Sequence, residues 1–358
     1  MKVVIIGAGV AGLSIGWRLL QAGATVTILD RAQPAHGATW AAAGMLAVTA
    51  ELEGAHAAER DLALHANALW PGFASEVEQA SGVPVGFVRS GALLLAPDAA
   101  ALDAMRARGP VLDAAGARAL VPLLADGIAG GLWAADEAHV DNRRLGEAMT
   151  IAYVKAGGAL VPQTAAVRIE QKSGAAVCVL TPRHRYHADA FVIAAGAWSG
   201  LLGDIPITPV KGEMIALAPP AGAQLPGPVI WGNGVYLVPR DEGGQKRLLV
   251  GATMQEAGFD TSLSPDVRDQ LRAGAQSLIP ALKQWVLADH WAGLRPKSPD
   301  GLPLLGPVRS GNIFVASGQF RNGILLAPAI AQLMADMVLG KTKIIPAFDP
   351  QRFAPRFV

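Results

Sequence analysis

Three glycines near the start of the sequence have the spacing of a backbone site for a dinucleotide. Gly7, Gly9 and Gly12 follow a short apolar run and precede a stretch with helical character. In such a motif the first glycine permits a tight turn, the second lets the backbone approach a pyrophosphate, and the third allows close helix–strand packing. The helix N-terminus adds free N–H groups and partial positive charge. These residues therefore predict a bound dinucleotide.

The elements around the glycines fit a βαβ unit. Lys2–Ile6 and Thr25–Leu29 have the apolar, β-branched composition of buried parallel strands, and residues 13–22 between them predict a helix. Asp30 directly follows the second strand, where a carboxylate accepts hydrogen bonds from ribose hydroxyls. A strand, glycines, a helix, a strand and an acid in this order are more specific than the glycines alone.

Segment 37–46 bears on which dinucleotide binds, because it is rich in small residues. Glycine and alanine there would let the chain pass close over a flat, bulky ring, as a flavin requires. The glycine motif by itself does not separate FAD from NAD. Generic packing of small residues also explains the composition, so both interpretations stay open at this point.

The composition is that of an enzyme with a large core. Of the 358 residues, 51% are hydrophobic and 16% are charged, and the formal net charge is +1. No run of Lys or Arg argues for a nucleic-acid partner. The single cysteine, Cys178, excludes an internal disulfide, and its apolar neighbours predict a buried strand thiol. The seven histidines show no ligand spacing, so we predict no metal.

Two apolar segments bear on location. The N-terminus has one Lys, no basic region and a glycine-rich break, so a βαβ strand explains it better than a signal peptide. Segment 323–339 is interrupted by Gln332 and Asp336 and is too short and too polar for a membrane span. We therefore expect a cytoplasmic protein with no membrane span.

The strand patterns change between the ends and the middle of the chain. Residues 99–120 predict one helical stretch, whereas 213–218, 235–238 and 248–250 alternate as in an antiparallel sheet. We predict an α/β fold: a Rossmann-like dinucleotide-binding domain with an inserted antiparallel-sheet α+β substrate domain. The first domain is predicted to comprise 1–80, 138–206 and 290–358, and the second 81–137 and 207–289.

Two arginines near the C-terminus have the chemistry to meet a carboxylate. We expect Arg295 and Arg321 in otherwise apolar loops, the second just before a helix predicted from Ile324. A guanidinium fits a carboxylate bidentately, although a solvated surface arginine is the common alternative. Tyr236, one of three tyrosines, lies in a predicted strand, where a core aromatic is the alternative.

Seven motifs spread over nearly the whole chain resemble the D-amino-acid oxidase-like flavoproteins. They are specific together, although none is specific alone, and residues 95–135 show little similarity. The motifs are GAGVAG (7–12), AAAGML (41–46), PVKGE (209–213), YLVPR (236–240), VGATM (250–254), WAGLRP (291–296) and FRNGILLAPA (320–329).

The resemblance implies roles for individual residues near a substrate. Arg295 would pair with the substrate carboxylate, Tyr236 would shape the carboxylate pocket, and Arg321 would lie near both substrate and flavin. Met254 and Gly234 would line the substrate side. Gly234 stands where the resembling proteins have a histidine, which leaves the substrate preference open.

The cofactor implied by the resemblance is FAD, so the first predicted domain becomes an FAD-binding domain. Gln319 replaces the histidine of the usual GHFRNG motif in one of its loops. The expected FAD contacts are Gly7, Gly9, Val10, Ala11, Gly12, Asp30, Arg31, Ala38, Thr39, Ala43, Gly44, Met45, Ala166, Gln319, Phe320, Arg321, Asn322, Gly323, Ile324 and Leu325.

The resemblance also implies an activity. It is FAD-dependent oxidative deamination of a small amino acid such as glycine, sarcosine or a small D-amino acid, by hydride transfer to flavin N5 with O₂ reduced to H₂O₂. A place in thiamine biosynthesis and a homo-oligomeric state are expected with it. Two alternatives remain: a family dehydrogenase that passes electrons to a quinone or another acceptor, and a flavoprotein that needs a partner subunit.

Overall fold

The computed structural model describes residues 1–242, 244–308 and 311–356. Residues 309–310 and 357–358 of the first predicted domain, and residue 243 of the second, lie outside the described residues. The strands are β1 (Lys2–Ile6), β2 (Thr25–Leu29), β3 (Met45–Leu46), β4 (Ala92–Ala96), β5 (Val111–Asp113), β6 (Gly130–Ala134), β7 (Ala138–His139), β8 (Ala159–Val161), β9 (Arg168–Lys172), β10 (Ala175–Leu180), β11 (Arg185–His187), β12 (Ala190–Ile193), β13 (Thr208–Ala218), β14 (Val229–Gly232), β15 (Val235–Glu242), β16 (Gln245–Gly251), β17 (Val286–Lys297), β18 (Leu304–Pro307) and β19 (Ile313–Ser317). The α-helices are α1 (Val10–Gln21), α2 (Ala38–Ala41), α3 (Val48–Glu51), α4 (Ala57–Ser81), α5 (Ala99–Arg106), α6 (Ala114–Leu120), α7 (Asn142–Lys155), α8 (Pro265–Leu278) and α9 (Ala327–Val338).

A six-stranded sheet in the order β18-β19-β12-β1-β2-β8 carries the N-terminal motif. All neighbouring strands are parallel except β18 and β19. Val3 and Ile5 of β1 pack into the core formed with α1, α4, α7 and α9, whereas Val4 and Ile6 pack against residues of β10. Because both faces are covered, β1 is apolar almost throughout rather than alternating.

The second large sheet has eight strands in the order β17-β13-β16-β15-β14-β4-β6-β5. Its neighbours are antiparallel except β14 and β4. Helix α8 covers one face, while Met214 and Trp291 on the other face pack with Ala41 and Ala43 of the N-terminal segment. The predicted fold class is confirmed. The division into two discontinuous domains stays a proposal, and β17 crosses its boundary at residues 289 and 290.

Three local predictions were wrong. The helical stretch over 99–120 is broken into α5 and α6 with β5 between them, because Pro110 disfavours a continuous helix. The last helix begins at Ala327 rather than Ile324, after a series of turns. Arg295 lies inside β17 and not in a loop. The following Pro296 is tolerated because β17 is an edge strand.

Cys178 is buried in β10, where its thiol donates a hydrogen bond to Glu170 Oε2 at 3.3 Å. This placement agrees with the predicted strand thiol. Among the described residues, no helix has both the length and the apolar character needed to cross a membrane.

Candidate active site

The structure brings together side chains from distant segments around one cavity of about 660 Å³. The cavity lies between the carboxyl ends of the six-stranded sheet and the open face of the eight-stranded sheet. Its volume is within the range of small-molecule sites. Of the site residues expected from the sequence, Gly12 and Leu325 do not line it, and the following do: Gly7, Gly9, Val10, Ala11, Asp30, Arg31, Ala38, Thr39, Ala43, Gly44, Met45, Ala166, Gly234, Tyr236, Met254, Arg295 and residues 319–324.

The turn from β1 into α1 forms one wall of the cavity. A Cβ atom on Gly12 would lie 1.9 Å from the carbonyl oxygen of Gly7, so the helix packs directly on the turn. The backbone N–H of Val10 donates to Thr39 Oγ1 at 2.9 Å, and the first turn of α1 contains no acidic side chain. This helix N-terminus therefore presents positive potential to the cavity, and no acidic side chain of its own first turn reduces that potential.

Asp30 and Arg31 lie at the same end of the cavity, beyond β2. Asp30 Oδ2 accepts from Ala8 N at 2.7 Å and Oδ1 accepts from Ala32 N at 2.7 Å. Each carboxylate oxygen keeps a lone pair that can accept from a ribose hydroxyl. The Arg31 guanidinium lies 3.9 Å from the ring centroid of Trp198.

Two buried side chains, to which the sequence analysis assigned no role, hold the small-residue segment against the eight-stranded sheet. Arg240 Nη2 donates to the carbonyl oxygen of Ala43 at 2.6 Å, and Arg240 also donates to the carbonyl of Val140. Trp291 Nε1 donates to the carbonyl oxygen of Ala41 at 3.0 Å. The alanines and glycine of this segment are therefore fixed where they face the cavity.

Arg295 is held at the opposite end of the cavity. Its Nη1 donates to the carbonyl oxygen of Thr253 at 3.0 Å. A Cβ on Gly212 of the neighbouring strand would lie 2.1 Å from the same nitrogen, so only glycine leaves room for the guanidinium. Arg295 thus lies flat on the strand with further donors available to a ligand.

Tyr236 lies beside Arg295 on the same sheet. Its hydroxyl is 3.7 Å from Met214 Sδ, and its ring centroid is 5.0 Å from that of Trp231. Burial raises the pKa of Tyr236 to about 12, with the Arg295 charge opposing the rise. The phenol is therefore protonated at neutral pH and can donate a hydrogen bond.

Arg321 is already paired with an acid that the sequence did not single out. Its Nε lies 2.9 Å from Glu51 Oε2, and its Nη2 donates to the Glu51 carbonyl at 3.1 Å. Burial raises the pKa of Glu51, and the charges of Arg321 and Arg295 oppose that rise. The only sequence signal was a pair of glutamates, Glu51 and Glu53, shortly after the AAAGML motif.

Met254 and Gly234 lie at the cavity rim. Met254 is 60% exposed. Asn233 and Gly234 form a two-residue turn between β14 and β15, with φ values of 46° and 75°. Asn-Gly suits the hairpin turn that needs positive φ at both positions. This turn chemistry accounts for glycine, rather than a histidine, at position 234.

The back face of β13 and β17 carries a buried charged network, which the sequence also did not reveal. Lys211 Nζ lies 3.0 Å from Glu213 Oε1, and His290 Nε2 lies 2.9 Å from Glu213 Oε2. Ser264 N donates to Glu213 Oε2 at 3.0 Å, and Glu213 N donates to Thr253 Oγ1 at 3.0 Å. The network therefore ties the segment 252–264, which holds Arg295, to β13.

A family model of FAD dependent oxidoreductases, called DAO, matches residues 2–337. The chain belongs to this family. The cofactor predicted from the sequence, FAD, is thereby confirmed. The family's description of the chain as an oxidoreductase agrees with the class of enzyme expected.

Named relatives extend this result. The chain is 37% identical to the bifunctional protein ThiO/ThiG of Synechocystis sp., over 98% of this chain and 54% of that protein. It thus spans about half the length of that relative. It is 35% identical to glycine oxidase of Geobacillus kaustophilus, over 98% of this chain and 96% of that protein. The crystal structure of glycine oxidase from Geobacillus kaustophilus superposes with a TM-score of 0.91 at 33% identity, over 98% of this chain and 99% of that one.

The loop before α9, residues 319–324, completes the wall of the cavity. Gln319 is buried, and Asn322 Nδ2 donates to Glu59 Oε1 at 2.9 Å. The Leu325 carbonyl accepts from Trp70 Nε1 at 2.8 Å, which explains why Leu325 supports the loop without lining the cavity. The glycine-rich turn before α1, the Asp30 carboxylate and the small residues of the cavity lining together fit FAD.

Proposed function

We propose that the protein is an FAD-dependent oxidase of a small amino acid, with glycine, sarcosine and small D-amino acids as the substrate class. The observation that carries the proposal is the pairing of Arg295 with a protonated Tyr236 at one end of the FAD cavity. A fork of N–H donors beside an O–H donor suits a carboxylate. The names of the glycine oxidase relatives support the same substrate class.

In this proposal the chain's own residues mainly position the reactants. Arg295 binds the substrate carboxylate and Tyr236 donates to it, so that the α-carbon is held over the cofactor side of the cavity. Positioning of this kind makes the reaction effectively unimolecular. The segments at Gly7–Ala11, Asp30, Ala43–Met45 and 319–324 would hold FAD. The chemistry that FAD supplies is acceptance of a hydride from the α-carbon, with the electron pair passing on to O₂ to give H₂O₂. No side chain is required as a base when the amine enters neutral, and the imine hydrolyses to the oxo acid and an amine, which is ammonia for glycine and methylamine for sarcosine.

An anaerobic substrate panel tests the proposal. The FAD-loaded protein is mixed without O₂ with glycine, sarcosine, D-alanine and D-proline, and flavin absorbance is followed. We expect bleaching by at least one of them, and release of H₂O₂ when O₂ is admitted. Bleaching that only an artificial dye or a quinone reverses would identify the dehydrogenase instead. No bleaching by any amino acid would overturn the assignment of an amino-acid substrate.

A place in thiamine biosynthesis, a cytoplasmic location and a homo-oligomeric state belong to the same proposal. The ThiO part of a relative's name supports the first of these. Complementation of a thiamine-requiring strain tests the place in thiamine biosynthesis. Cell fractionation tests the location, and light scattering measures the oligomeric state.

A further inference from the structure

The charges around the Tyr236 end of the cavity can be counted. Among the described residues that line the cavity, three charged side chains lie there: Arg295, Arg321 and Glu51. Both arginines influence the pKa of Glu51 and of Tyr236, so all four groups are close together. The other charged or titratable side chains of the lining, Asp30, Arg31 and His36, follow β2 at the opposite end. With both arginines and Glu51 ionised, the Tyr236 end carries a net charge of +1.

The Glu51–Arg321 pair is a built contact rather than a loose surface pair. The Glu51 side chain is 8% exposed, and Arg321 binds both its carboxylate and its carbonyl oxygen. Helix α3 is fixed from behind, because Glu137 Oε1 accepts from Thr49 N at 2.6 Å and from Ala50 N at 3.0 Å. Glu59 is bonded to Asn322 and does not line the cavity. Glu51 is therefore the acid that neutralises Arg321 in the cavity wall.

We propose that Glu51 is a specificity-determining residue: by occupying Arg321, it limits the cavity to one substrate carboxylate. The inference rests on the proposed function. An amino acid with a neutral amine and one carboxylate carries a charge of −1, which matches the site. A second carboxylate would meet the buried Glu51 carboxylate or would have to displace it from Arg321. Like charges brought together out of water are strongly disfavoured, so the pair acts against dicarboxylic substrates.

Sarcosine and N-carboxymethylglycine test this, because they differ by one carboxylate on the N-methyl group. Glu51→Gln keeps the shape of the side chain and removes its charge, which releases Arg321. We expect kcat/KM for N-carboxymethylglycine relative to sarcosine to rise at least about tenfold in this variant, the equivalent of one lost like-charge contact. D-aspartate against D-alanine provides the same comparison with the second carboxylate on the α-carbon side.

Glu53→Gln is the matched control. Glu53 lies two residues further along, is mostly exposed and pairs with Arg108 Nη1 at 2.8 Å. It undergoes the same change of charge outside the cavity lining. The ratio of the two kcat/KM values should stay within about twofold of wild type, as for an exposed ion pair.

Binding of unreactive anions gives a readout that does not depend on turnover. Acetate and malonate are titrated into the FAD-loaded protein, and flavin absorbance reports their dissociation constants. In Glu51→Gln, the dissociation constant of malonate relative to that of acetate should fall by about tenfold. In the double variant Glu51→Gln, Arg321→Gln, this gain in malonate affinity should be lost. Glu51→Ala serves as a second variant if Glu51→Gln retains little FAD.

The outcomes separate the two proposals. Unchanged ratios in both Glu51 variants, with intact flavin spectra, would overturn the role of Glu51 even if amino acids are oxidised. A shifted malonate ratio without oxidation of any amino acid would support the role of Glu51 and reject the proposed function.

Discussion

Arg295 Nη1 donates a hydrogen bond to the Thr253 carbonyl, and the guanidinium lies against Gly212 and beside the Tyr236 hydroxyl. The remaining donors of its fork face the cavity region shared with Tyr236. This arrangement makes the guanidinium available to a ligand without a competing carboxylate on it. Arg321 is less available to a ligand than Arg295, because it already forms an ion pair with Glu51.

Replacing Arg295 should therefore affect the substrate and not the cofactor. Arg295→Ala leaves a substrate carboxylate uncompensated in a partly dry site, which costs roughly 2–5 kcal/mol, or about 30- to 4,000-fold in kcat/KM. Arg295→Lys keeps the charge, loses the fork and should fall between that variant and wild type. Steady-state kinetics with the best amino acid of the panel measure both.

The flavin spectrum of the Arg295 variants should stay close to that of wild type. Arg268→Ala, in helix α8 and outside the cavity lining, removes an arginine paired with the adjacent Asp269 and serves as the control. Near-wild-type kcat/KM in Arg295→Ala would remove Arg295 from the carboxylate site.

Candidate site residues could be predicted from the sequence where their immediate neighbours in the chain make them stand out. Tyr236 and Arg295 stand out as polar groups in apolar surroundings, and they do lie in the cavity. Glu51 and Arg240 were missed because their partners are remote: Arg321 is 270 positions from Glu51, and Arg240 is 197 from Ala43. No local pattern encodes such a contact.

Helix α3 is the element on which the charge of the cavity depends, and Glu137 is its support. Burial raises the pKa of Glu137 from 4.5 to about 7, with the bonds from Ala50 and Thr49 opposing the rise. Folding therefore favours the protonated acid. This contribution to stability is fully present below the unfolded pKa of 4.5 and is lost as the pH rises through about 7.

Glu137→Gln should remove this pH dependence, because an amide still accepts from both backbone N–H groups and never ionises. The free energy of unfolding of the variant minus that of wild type should increase by up to about 3 kcal/mol between pH values of about 5 and 8, because only the wild type loses stability over this range. Urea unfolding of the FAD-free proteins at both pH values measures it. A difference that does not change with pH would show that Glu137 is ionised throughout.

Secondary-structure elements were predictable from the sequence where their apolar residues form a regular pattern that the fold buries. Both βαβ strands have the bounds expected from the sequence, since continuous apolar runs identify strands covered on two faces. Strand β17 was missed around Arg295, because glycine, arginine and proline are poor indicators of a strand. Its hydrogen bonds come from β13, a strand about eighty positions earlier in the chain. Only tertiary pairing of this kind overrides the local composition.

At the scale of the whole molecule, residues of both large sheets line the cavity proposed for FAD, so FAD bound there would link the two sheets. Asp30→Ala should weaken FAD retention by roughly 1.5–3 kcal/mol through loss of a charged acceptor for the ribose. Asp30 also bonds Ala8 N and Ala32 N, so the FAD-free protein should lose stability as well. FAD fluorescence on dilution and the Tm with and without FAD separate the two effects. FAD held by Asp30→Ala as tightly as by wild type would refute a ribose contact.

Strand β17 keeps two sets of charges apart by alternation alone. Arg295 points to the cavity, and His290 on the opposite face meets Glu213, whose other partner is Lys211. Side chains in a strand change face at every residue, so a shift of register by one reverses them all. Deleting one of residues 291–294 from β17 would turn Arg295 towards Lys211 and His290 and remove its guanidinium from the cavity. The number of residues in this strand is therefore as strict a requirement as their identity.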